Sequence, residues 1–595
     1  MNSVKCRIRQ LQEWLAEHYF DACIVPHTDP HLSEYVEPYD CVRAYFSGFT
    51  GSAGTLVVTQ QEAGLWTDSR YYIQAEQQLQ NTSIVLFKDG QPQVPAYKDW
   101  LLDKIGKQAR VAVNACCFSH AQWEECSALF TLVHEATFEK LWTNRPILSK
   151  RACTRYQGAF TSATQHVHDL REVLKQKQVD ACLISALDDI AWLLQVRGDD
   201  IPYVPVVRSY LWVDAMQICW WVDACKVKDA QLLEHLHQLG VTLLPYEKIA
   251  DDLAQLTPQK VWIDQTLLNQ RVYQLLEKHV LVQDTLWITE QKAIKSQEEL
   301  LAIQQVMIPD AVAWVRSLKW LQEQLYQHNR VSELDFQQQM LCYKSQGSAY
   351  IAESFAPIVA YGEHAAIVHY ESTPQSNIPI LPHGFLLVDA GSHYAYGTTD
   401  VTRTIVCGPL TEQQRTVYTL VLKGMIAMAT AVFSTQTPSA EIDALARKPL
   451  QQYGYDYGHG TGHGIGTVLS VHERGVRISP YSFKPLRCGM VLSDEPGCYL
   501  EGMFGVRLEN MLAVQPEQVD VDSFTLASAA EAESSNLLFK TLTIIPFDCR
   551  AIDVCLLTDA EKQWINAYHE HVMRTLQANL TTEEYNWLKS YTYEL

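Results

Sequence analysis

Residues 385–403 read FLLVDAGSHYAYGTTDVTR, and this stretch decides the fold predicted for the second half of the chain. The apolar residues 385–388 predict a strand that ends at Asp389, and Gly391 opens a turn. Eleven residues after Asp389, Asp400 begins the next predicted strand, so a hairpin connection brings the two carboxylates together. Strand ends often carry function, although two such aspartates alone are more often solvated turn residues.

A glycine-rich segment, HGTGHGIG at residues 459–466, strengthens the case for a site. His459 and His463 stand four residues apart, which resembles the spacing of helical zinc ligands. Each interleaved glycine costs a helix about 1 kcal/mol relative to alanine, so the segment is predicted to be extended or looped. The alternate glycines are expected to let the backbone approach a ligand closely. A single histidine is more often structural, but this context favours a site.

Two more carboxylates lie near predicted strand ends. Residues 491–497 read VLSDEPG and place Glu495 against a Pro-Gly turn. Residues 505–514 predict a last strand, on which Arg507 and Glu509 share one face because strand side chains alternate. A charged face where a buried strand should be apolar indicates a functional site.

These groups cannot converge in a dry pocket as bare anions, because neighbouring like charges raise one another's pKa. Two divalent cations balance the four carboxylates, and a hydroxide bridging the metals can act as the nucleophile, with the metals about 3.5–4 Å apart. An oxygen-rich ligand set with one imidazole suits Mn²⁺, and also Co²⁺ or Zn²⁺. The predicted metal ligands are Asp389, Asp400, His463, Glu495 and Glu509.

Composition excludes several classes of function. The formal net charge of −21 repels phosphate backbones and anionic lipid surfaces, so neither nucleic acid nor a membrane is an expected partner. Charged residues interrupt the N-terminal helical pattern, so no export signal is predicted and the expected location is cytoplasmic. The most apolar segment, residues 211–222, contains Asp214 and is predicted to form buried strands. The sixteen scattered cysteines are expected to be reduced thiols.

A sequence repeat indicates how the first half of the chain is organised. YFDACIV at residues 19–25 recurs as QVDACLI at residues 178–184, each after a helical pattern that runs from Val4 or over residues 163–177. Strands are predicted at 54–59 and 65–68 after the first copy and at 210–213 and 217–223 after the second. Two similar α/β domains in tandem explain this, although chance similarity is a fair alternative for so short a match. Turn signals near 143–146 and 295 predict domains at residues 1–145, 146–295 and 296–595.

The third domain is predicted to be of the α+β type. Residues 296–299 have capping-box form and start a long helix, with Pro309 as a kink. Strands are predicted at 385–388, 403–407, 490–493 and 505–514, and a helix at 410–433 is capped by Thr411. Residues 557–595 are helical in pattern and are predicted to pack on this domain or on a second subunit.

At these residues the sequence resembles peptidase family M24, whose members share the pita-bread fold and include methionine aminopeptidase, prolidase and aminopeptidase P. All five ligand positions occur in the family's order, each in its expected local motif. Ser354-Phe355, Gly362, Ala366, His369-Tyr370 and Val471-His472-Glu473 resemble the aminopeptidase P branch. SGFTGSAGT at residues 47–55, WTDSRY at 66–71 and ALDDIAWL at 186–193 resemble the three-domain cytosolic type of Xaa-Pro aminopeptidase.

The resemblance covers nearly the whole chain and implies two tandem creatinase-like α/β domains followed by a pita-bread metallopeptidase domain. It also implies a homodimer that removes an N-terminal residue when proline follows it. Asp389 is then expected to chelate one metal, His463 and Glu495 to bind the other, and Asp400 and Glu509 to bridge both.

Further roles are implied for residues around the metals. His459 and His472 are candidate donors to the oxyanion, and His369 is expected to line the substrate pocket. Glu495 is expected to pass a proton toward the proline nitrogen, and Arg507 to orient carboxylates.

Three alternatives share the fold. A prolidase restricted to dipeptides has the same ligand set, but the extra domains and the motifs favour the aminopeptidase. A non-catalytic binding protein and a metal-free creatinase-like enzyme would both lack ligands, and none of the ligands is missing from this sequence.

Overall fold

The computed structural model describes residues 3–517 and 536–595. It contains two compact units, one formed by the residues up to Gln157 together with Thr161–Thr289, and the other by Gly158–Phe160 with Glu290–Leu595. The first predicted domain and all but nine residues of the second, 158–160 and 290–295, therefore lie in one unit. The domain boundaries at residues 145 and 295 stay predictions.

The first unit contains two six-stranded mixed sheets with the same strand order and the same pattern of parallel and antiparallel pairs. This identity of topology supports the repeat found in the sequence, whose two copies form the matching strands Ala22–Pro26 and Ala181–Ile184. In spatial order, the first sheet consists of Ile84–Lys88, Ala63–Thr67, Thr55–Thr59, Ala22–Pro26, Arg110–Val113 and Thr131–His134. The second consists of Val241–Pro245, Ile218–Val222, Ser209–Asp214, Ala181–Ile184, Lys260–Ile263 and Val280–Gln283.

Amphipathic helices cover these sheets, as the helical patterns before each strand copy predict. Apolar clusters confined to residues up to Ile288 form the core of this unit. A short pair, Thr154–Arg155 and Val196–Arg197, completes the strands. The α-helices are Val4–Glu17, Val42–Ser47, Tyr72–Leu79, Tyr97–Ile105, His120–Ser127, Ala163–Lys177, Leu187–Leu194, Ala230–Gln238, Ile249–Gln255, Gln270–Gln274 and Trp287–Lys292, the last of which runs into the second unit.

The longest described helix of the second unit, Gln297–Tyr326, begins at the predicted capping box. The Ser296 side chain accepts from the Glu299 backbone, the Glu299 side chain reaches back, and the helix continues through Pro309. Thr411 caps a later helix in the same way, as predicted. Among the residues of this unit that the structure describes, the α-helices are Gln297–Tyr326, Glu333–Lys344, Glu412–Ala429, Ser439–Gln451, Asp559–Leu576 and Thr582–Tyr591.

Four sheets complete the second unit. In spatial order their strands are Tyr350–Glu353, Ser392–Tyr394 and Gly397–Thr398; Ile358–Tyr361, Phe385–Asp389 and Thr402–Val406; Val432–Phe433, Leu537–Thr541, Asn510–Pro516, Val491–Asp494, Gly462–Gly464 and Glu473–Ile478; and Gly497–Leu500 with Phe504–Arg507. The prediction of one continuous strand over residues 505–514 is wrong. The chain pairs with Gly497–Leu500 as far as Arg507, and then joins the six-stranded sheet from Asn510.

The tail helices pack on the second unit. Ile565, Val572 and Leu588 are buried in the same apolar cluster as Leu300 and Leu386, which confirms that this segment contributes to the core of its own domain. Within residues 3–517 and 536–595, none of the helices is both long and apolar enough to cross a membrane.

Candidate metal centre and active site

The predicted ligands come together where two sheets meet. Asp389 ends the strand Phe385–Asp389 and pairs with Thr402, two residues after Asp400, so the predicted hairpin is present. In the six-stranded sheet, Asp494 pairs with Asn510, so the adjoining residues Glu495 and Glu509 are brought close. The Glu509 N–H donates to the Thr402 carbonyl at 3.0 Å and joins the two sheets at the site.

His463 faces the carboxylates from the neighbouring strand. Asp400, His463 and Glu509 offer ligand atoms that all lie within 4.8 Å of one another. His463 Nε2 lies 3.4 Å from Asp400 Oδ2 and 3.4 Å from Glu495 Oε1. Its Nδ1 is 2.9 Å from the Gly464 carbonyl oxygen, which can only accept a hydrogen bond, so in the neutral ring Nδ1 carries the hydrogen and the Nε2 lone pair points toward the carboxylates. A metal ion between them would satisfy a lone pair and two carboxylates that face one another.

Asp389 lies close enough to the other carboxylates for its charge to affect their pKa values. Its Oδ2 accepts from Arg507 Nη2 at 2.7 Å. Its Oδ1 is buried and has no hydrogen-bond partner among the described residues. A buried carboxylate oxygen without a partner is costly, and a metal ion would satisfy it. The donor set, oxygen-rich with one imidazole, therefore fits divalent cations.

The electrostatics of the protein groups lead to the same conclusion. Burial raises the pKa of Asp400 well above its ordinary value, and the negative charges of Asp389 and Glu495 raise it further. Burial and the charge of Asp400 do the same to the pKa of Glu509. Burial, with a contribution from Asp389, raises the pKa of Glu495 to about 7. Bound cations would hold all these groups ionised.

Two hydroxyls that the sequence reasoning missed orient the carboxylates. Thr402 Oγ1 donates to Glu509 Oε2 at 2.8 Å. Ser493 Oγ donates to Glu495 Oε1 at 3.2 Å and accepts from the His463 backbone at 3.0 Å. Both residues lie two positions from a ligand within the quoted motifs, so their hydrogen-bonding side chains were an available signal.

Packing within the protein already requires glycine at position 462. A Cβ on Gly462 would lie 2.0 Å from the Ser493 carbonyl oxygen, so the neighbouring strand of the protein, rather than a ligand, requires glycine there. The extended conformation itself is confirmed, because Gly462–Gly464 is a strand.

The remaining predicted residues lie around this cluster. The His459 Nδ1 is 2.8 Å from the Gly460 carbonyl and its Nε2 is 2.8 Å from the Tyr499 hydroxyl. The His472 ring packs edge-on against the His463 ring, with centroids 4.4 Å apart. The half-buried His369 follows Val368, whose carbonyl accepts from Arg507 Nη1 at 3.3 Å.

Tyr499 is a site residue that the sequence reasoning did not select. Its hydroxyl accepts from Arg507 Nη1 at 2.9 Å and bonds to His459, so a continuous path runs from Asp389 through Arg507 and Tyr499 to His459. Its position two residues after the Pro-Gly pair that ends the motif at 491–497 carried no signal that distinguished it from a core tyrosine.

Comparisons with known proteins identify the family of this chain. The chain is 33% identical to aminopeptidase P2 of Arabidopsis thaliana over 95% of this chain and 85% of that protein. It is 35% identical to Xaa-Pro aminopeptidase ApepP of Drosophila melanogaster over 98% of this chain and 97% of that protein. The chain belongs to metallopeptidase family M24.

Models of the M24 family and its associated domains match most of the chain. Metallopeptidase family M24 matches residues 302–516, and the C-terminal region of this peptidase matches 536–595. The creatinase/prolidase N-terminal domain matches twice, at residues 7–141 and 144–299. The predicted fold class, two creatinase-like domains before a pita-bread domain, is confirmed.

The fold of this M24 member is also close to a solved structure. X-prolyl aminopeptidase from Caenorhabditis elegans, described as a cytosolic enzyme with a di-nuclear active site, superposes with a TM-score of 0.94 and 30% identity over 100% of both chains. Prolidase from Pyrococcus horikoshii shares the fold of part of the chain, with a TM-score of 0.50, 21% identity and 64% of this chain covered.

Proposed function

We propose that this protein is a metal-dependent aminopeptidase that hydrolyses the N-terminal peptide bond of peptides with proline in the second position. The observation that carries the proposal is the convergence of Asp400, His463 and Glu509 within 4.8 Å. The relatives named Xaa-Pro aminopeptidase, similar over nearly their full lengths, support the specificity.

Two divalent ions are proposed, held by Asp389, Asp400, His463, Glu495 and Glu509. Mn²⁺ suits this donor set best, and Co²⁺ and Zn²⁺ are also compatible with it. When bound, such ions polarise a carbonyl and make water nucleophilic at neutral pH. Thr402, Ser493 and Arg507 orient the carboxylates that hold them.

The side chains around the metals are proposed to act on the substrate directly. His459 and His472 donate to the oxygen of the scissile carbonyl as negative charge develops on it. Glu495 passes a proton toward the proline nitrogen, which must leave as an amine. Arg507 holds Asp389 and does not react.

Proline recognition has a chemical basis. An Xaa-Pro bond is a tertiary amide without an N–H, and the ring excludes it from sites built around ordinary peptides. His369 is proposed to line the pocket that receives this peptide. A homodimer in the cytoplasm is proposed as well, the location supported by the cytosolic neighbour. Analytical ultracentrifugation showing a monomer at micromolar concentration would contradict the dimer.

A comparison of three peptides tests the proposed specificity. Protein loaded with Mn²⁺ is expected to release arginine from Arg-Pro-Pro, to cut Arg-Ala-Pro far more slowly, and to lose activity with a chelator. Equal rates on the two tripeptides would refute the proline specificity. Turnover of the dipeptide Arg-Pro alone would indicate a prolidase-type dipeptidase, and no turnover with any metal would indicate a non-catalytic protein.

A further inference from the structure

A buried ion pair lies on the helix Ser439–Gln451. Asp443 and Arg447 are one turn apart, and Arg447 Nε donates to Asp443 Oδ2 at 2.7 Å. Only 1% of Asp443 and 6% of Arg447 are exposed. Burying two charges costs several kcal/mol per ion, so such a pair is a poor source of stability by itself.

The rest of the Arg447 guanidinium contacts the backbone that leads to the candidate catalytic histidine. Nη1 donates to the Tyr457 carbonyl at 2.6 Å, and Nη2 donates to the His459 carbonyl at 2.7 Å. The guanidinium carbon also lies 3.9 Å from the centroid of the Tyr457 ring. A planar guanidinium with several donors can hold two carbonyls in a fixed relation, which an ammonium cannot do.

Asp443 extends the same network to the other half of the segment. Its Oδ1 accepts from Thr461 Oγ1 at 2.6 Å, and the Tyr457 hydroxyl bonds to the same Thr461 oxygen at 2.6 Å. The Thr461 carbonyl accepts from the Glu495 backbone N–H at 2.9 Å. The ion pair is therefore connected to the backbone of His459 on one side and to that of Glu495 on the other.

The segment needs external support because of its composition. Gly458, Gly460 and Gly462 alternate with the functional residues, and glycine loses more conformational entropy on ordering than any other residue. Before the strand Gly462–Gly464 begins, the segment belongs to neither a helix nor a strand. The three bonds that join Arg447 and Asp443 to residues 457–461 supply the geometry that local propensity does not.

We propose that Arg447 and Asp443 are positioning residues for the hydrolytic site, which hold the glycine-rich segment so that His459 faces the scissile carbonyl and Glu495 keeps its ligand geometry. This proposal rests on the proposed function. Arg447 acts through the backbone carbonyls of Tyr457 and His459, and Asp443 acts through the hydroxyl of Thr461.

Arg447→Lys tests the link to His459. Lysine keeps the positive charge but lacks the planar guanidinium that holds two carbonyls. We expect kcat to fall about a hundredfold, because a displacement of His459 by about 1 Å can cost that much. KM should change less than about threefold. In an Arg447→Lys/His459→Ala double variant, the lysine substitution should add less than about threefold to the loss caused by His459→Ala, since residues that act as a unit are non-additive. Wild-type kcat in Arg447→Lys would overturn the proposal. A double variant whose loss of kcat equals the product of the two single losses would also overturn it.

Arg316→Lys is the matched control. Arg316 forms an ion pair at 2.8 Å with Glu584 that joins the helix Gln297–Tyr326 to the helix Thr582–Tyr591. Its conversion to lysine also replaces a guanidinium by an ammonium, and kcat should stay within about twofold of wild type because partly exposed ion pairs contribute little. A loss of kcat as large as that of Arg447→Lys would show a general effect of arginine replacement and would overturn the specific role.

Thr461→Val tests the link to Glu495 without turnover and keeps both residues of the ion pair. It removes one hydroxyl from a buried site, and calorimetric titration with Mn²⁺ should show affinity about tenfold weaker, as for other groups behind metal ligands. Thr461→Ser should restore wild-type affinity. Unchanged Mn²⁺ affinity in Thr461→Val would overturn the proposed link from Asp443 through Thr461 to Glu495. If the wild-type protein binds Mn²⁺ but cuts no Xaa-Pro peptide, the proposed function fails while this titration still decides the positioning role.

Discussion

Arg507 Nη2 lies 2.7 Å from Asp389 Oδ2, so a buried guanidinium stands directly behind a carboxylate predicted to bind metal. Burial lowers the pKa of this guanidinium, but the charges of Tyr499, Asp389 and Glu495 outweigh burial and raise the pKa well above its ordinary value. Arg507 is therefore a permanent cation at the site. It occupies one oxygen of Asp389 and leaves the other for a metal.

Arg507→Lys should weaken Mn²⁺ binding by about 10–100-fold, the usual cost of losing a group that orients a ligand. Lysine keeps the charge but cannot reach Asp389 and Tyr499 together. Calorimetric titration measures the affinity. Arg550→Lys is the control, because Arg550 has a comparable ion pair, with Asp548 at 2.7 Å. Equal weakening in both variants would contradict a specific role for Arg507.

Asp400→Asn and Glu509→Gln should each abolish hydrolysis of Arg-Pro-Pro while leaving circular dichroism unchanged. Each substitution removes a charge from the ligand set but keeps the side-chain volume, so the buried packing survives. Metal analysis by mass spectrometry should find fewer than two bound ions. Wild-type turnover in either variant would refute the bridging role.

Tyr499→Phe should lower kcat about tenfold and leave Mn²⁺ affinity within about threefold, because the typical net worth of such a hydrogen bond is about 1–1.5 kcal/mol. The change removes the hydroxyl that contacts His459 and Arg507 but keeps the ring. Steady-state kinetics on Arg-Pro-Pro gives the answer. A loss confined to KM would instead assign Tyr499 to substrate binding.

His569 should make stability depend on pH. Burial, with the charge of Arg403, lowers the pKa of this histidine to about 3, and its Nε2 accepts from the Phe547 N–H at 3.1 Å. The unfolded chain binds the proton first, so the contribution of His569 is complete above about pH 6.5 and is lost as pH falls from there toward 3. Within this window the free energy of unfolding falls by about 1.4 kcal/mol for each unit by which the pH falls.

The measurement is the urea midpoint at pH 7 and pH 5 for the wild type and for His569→Gln. Glutamine does not titrate, so the variant should lose less stability than the wild type between these two pH values. Parallel losses in both proteins would contradict the assignment to His569.

Local signals explain which parts of the fold could be predicted. The capping boxes at Ser296 and Thr411 depend on residues three apart, and the structure has both. The break between Arg507 and Asn510 could not be read from alternation, because the change of partner strand, rather than local propensity, ends the pairing there.

The same distinction applies to the site. The five proposed ligands stand in short motifs whose residue types are unusual for buried strands. Asp443 and Arg447 carry no such signal, because an acidic and a basic residue four apart on a helix are typical of a solvent-exposed pair. Only the packing of their helix against residues 457–461 shows that they are buried and connected to the site.

The proposed ligands come from separate stretches between Asp389 and Glu509, and this spacing affects the order of events during synthesis. At typical ribosome rates Asp389 emerges on the order of ten seconds before Glu509. By then the ribosome has already synthesised Ile288, the last residue of the apolar core of the first unit. A nascent chain thus carries a formed N-terminal unit before it can hold either cation, so cellular metal supply can limit only the last stage of its maturation.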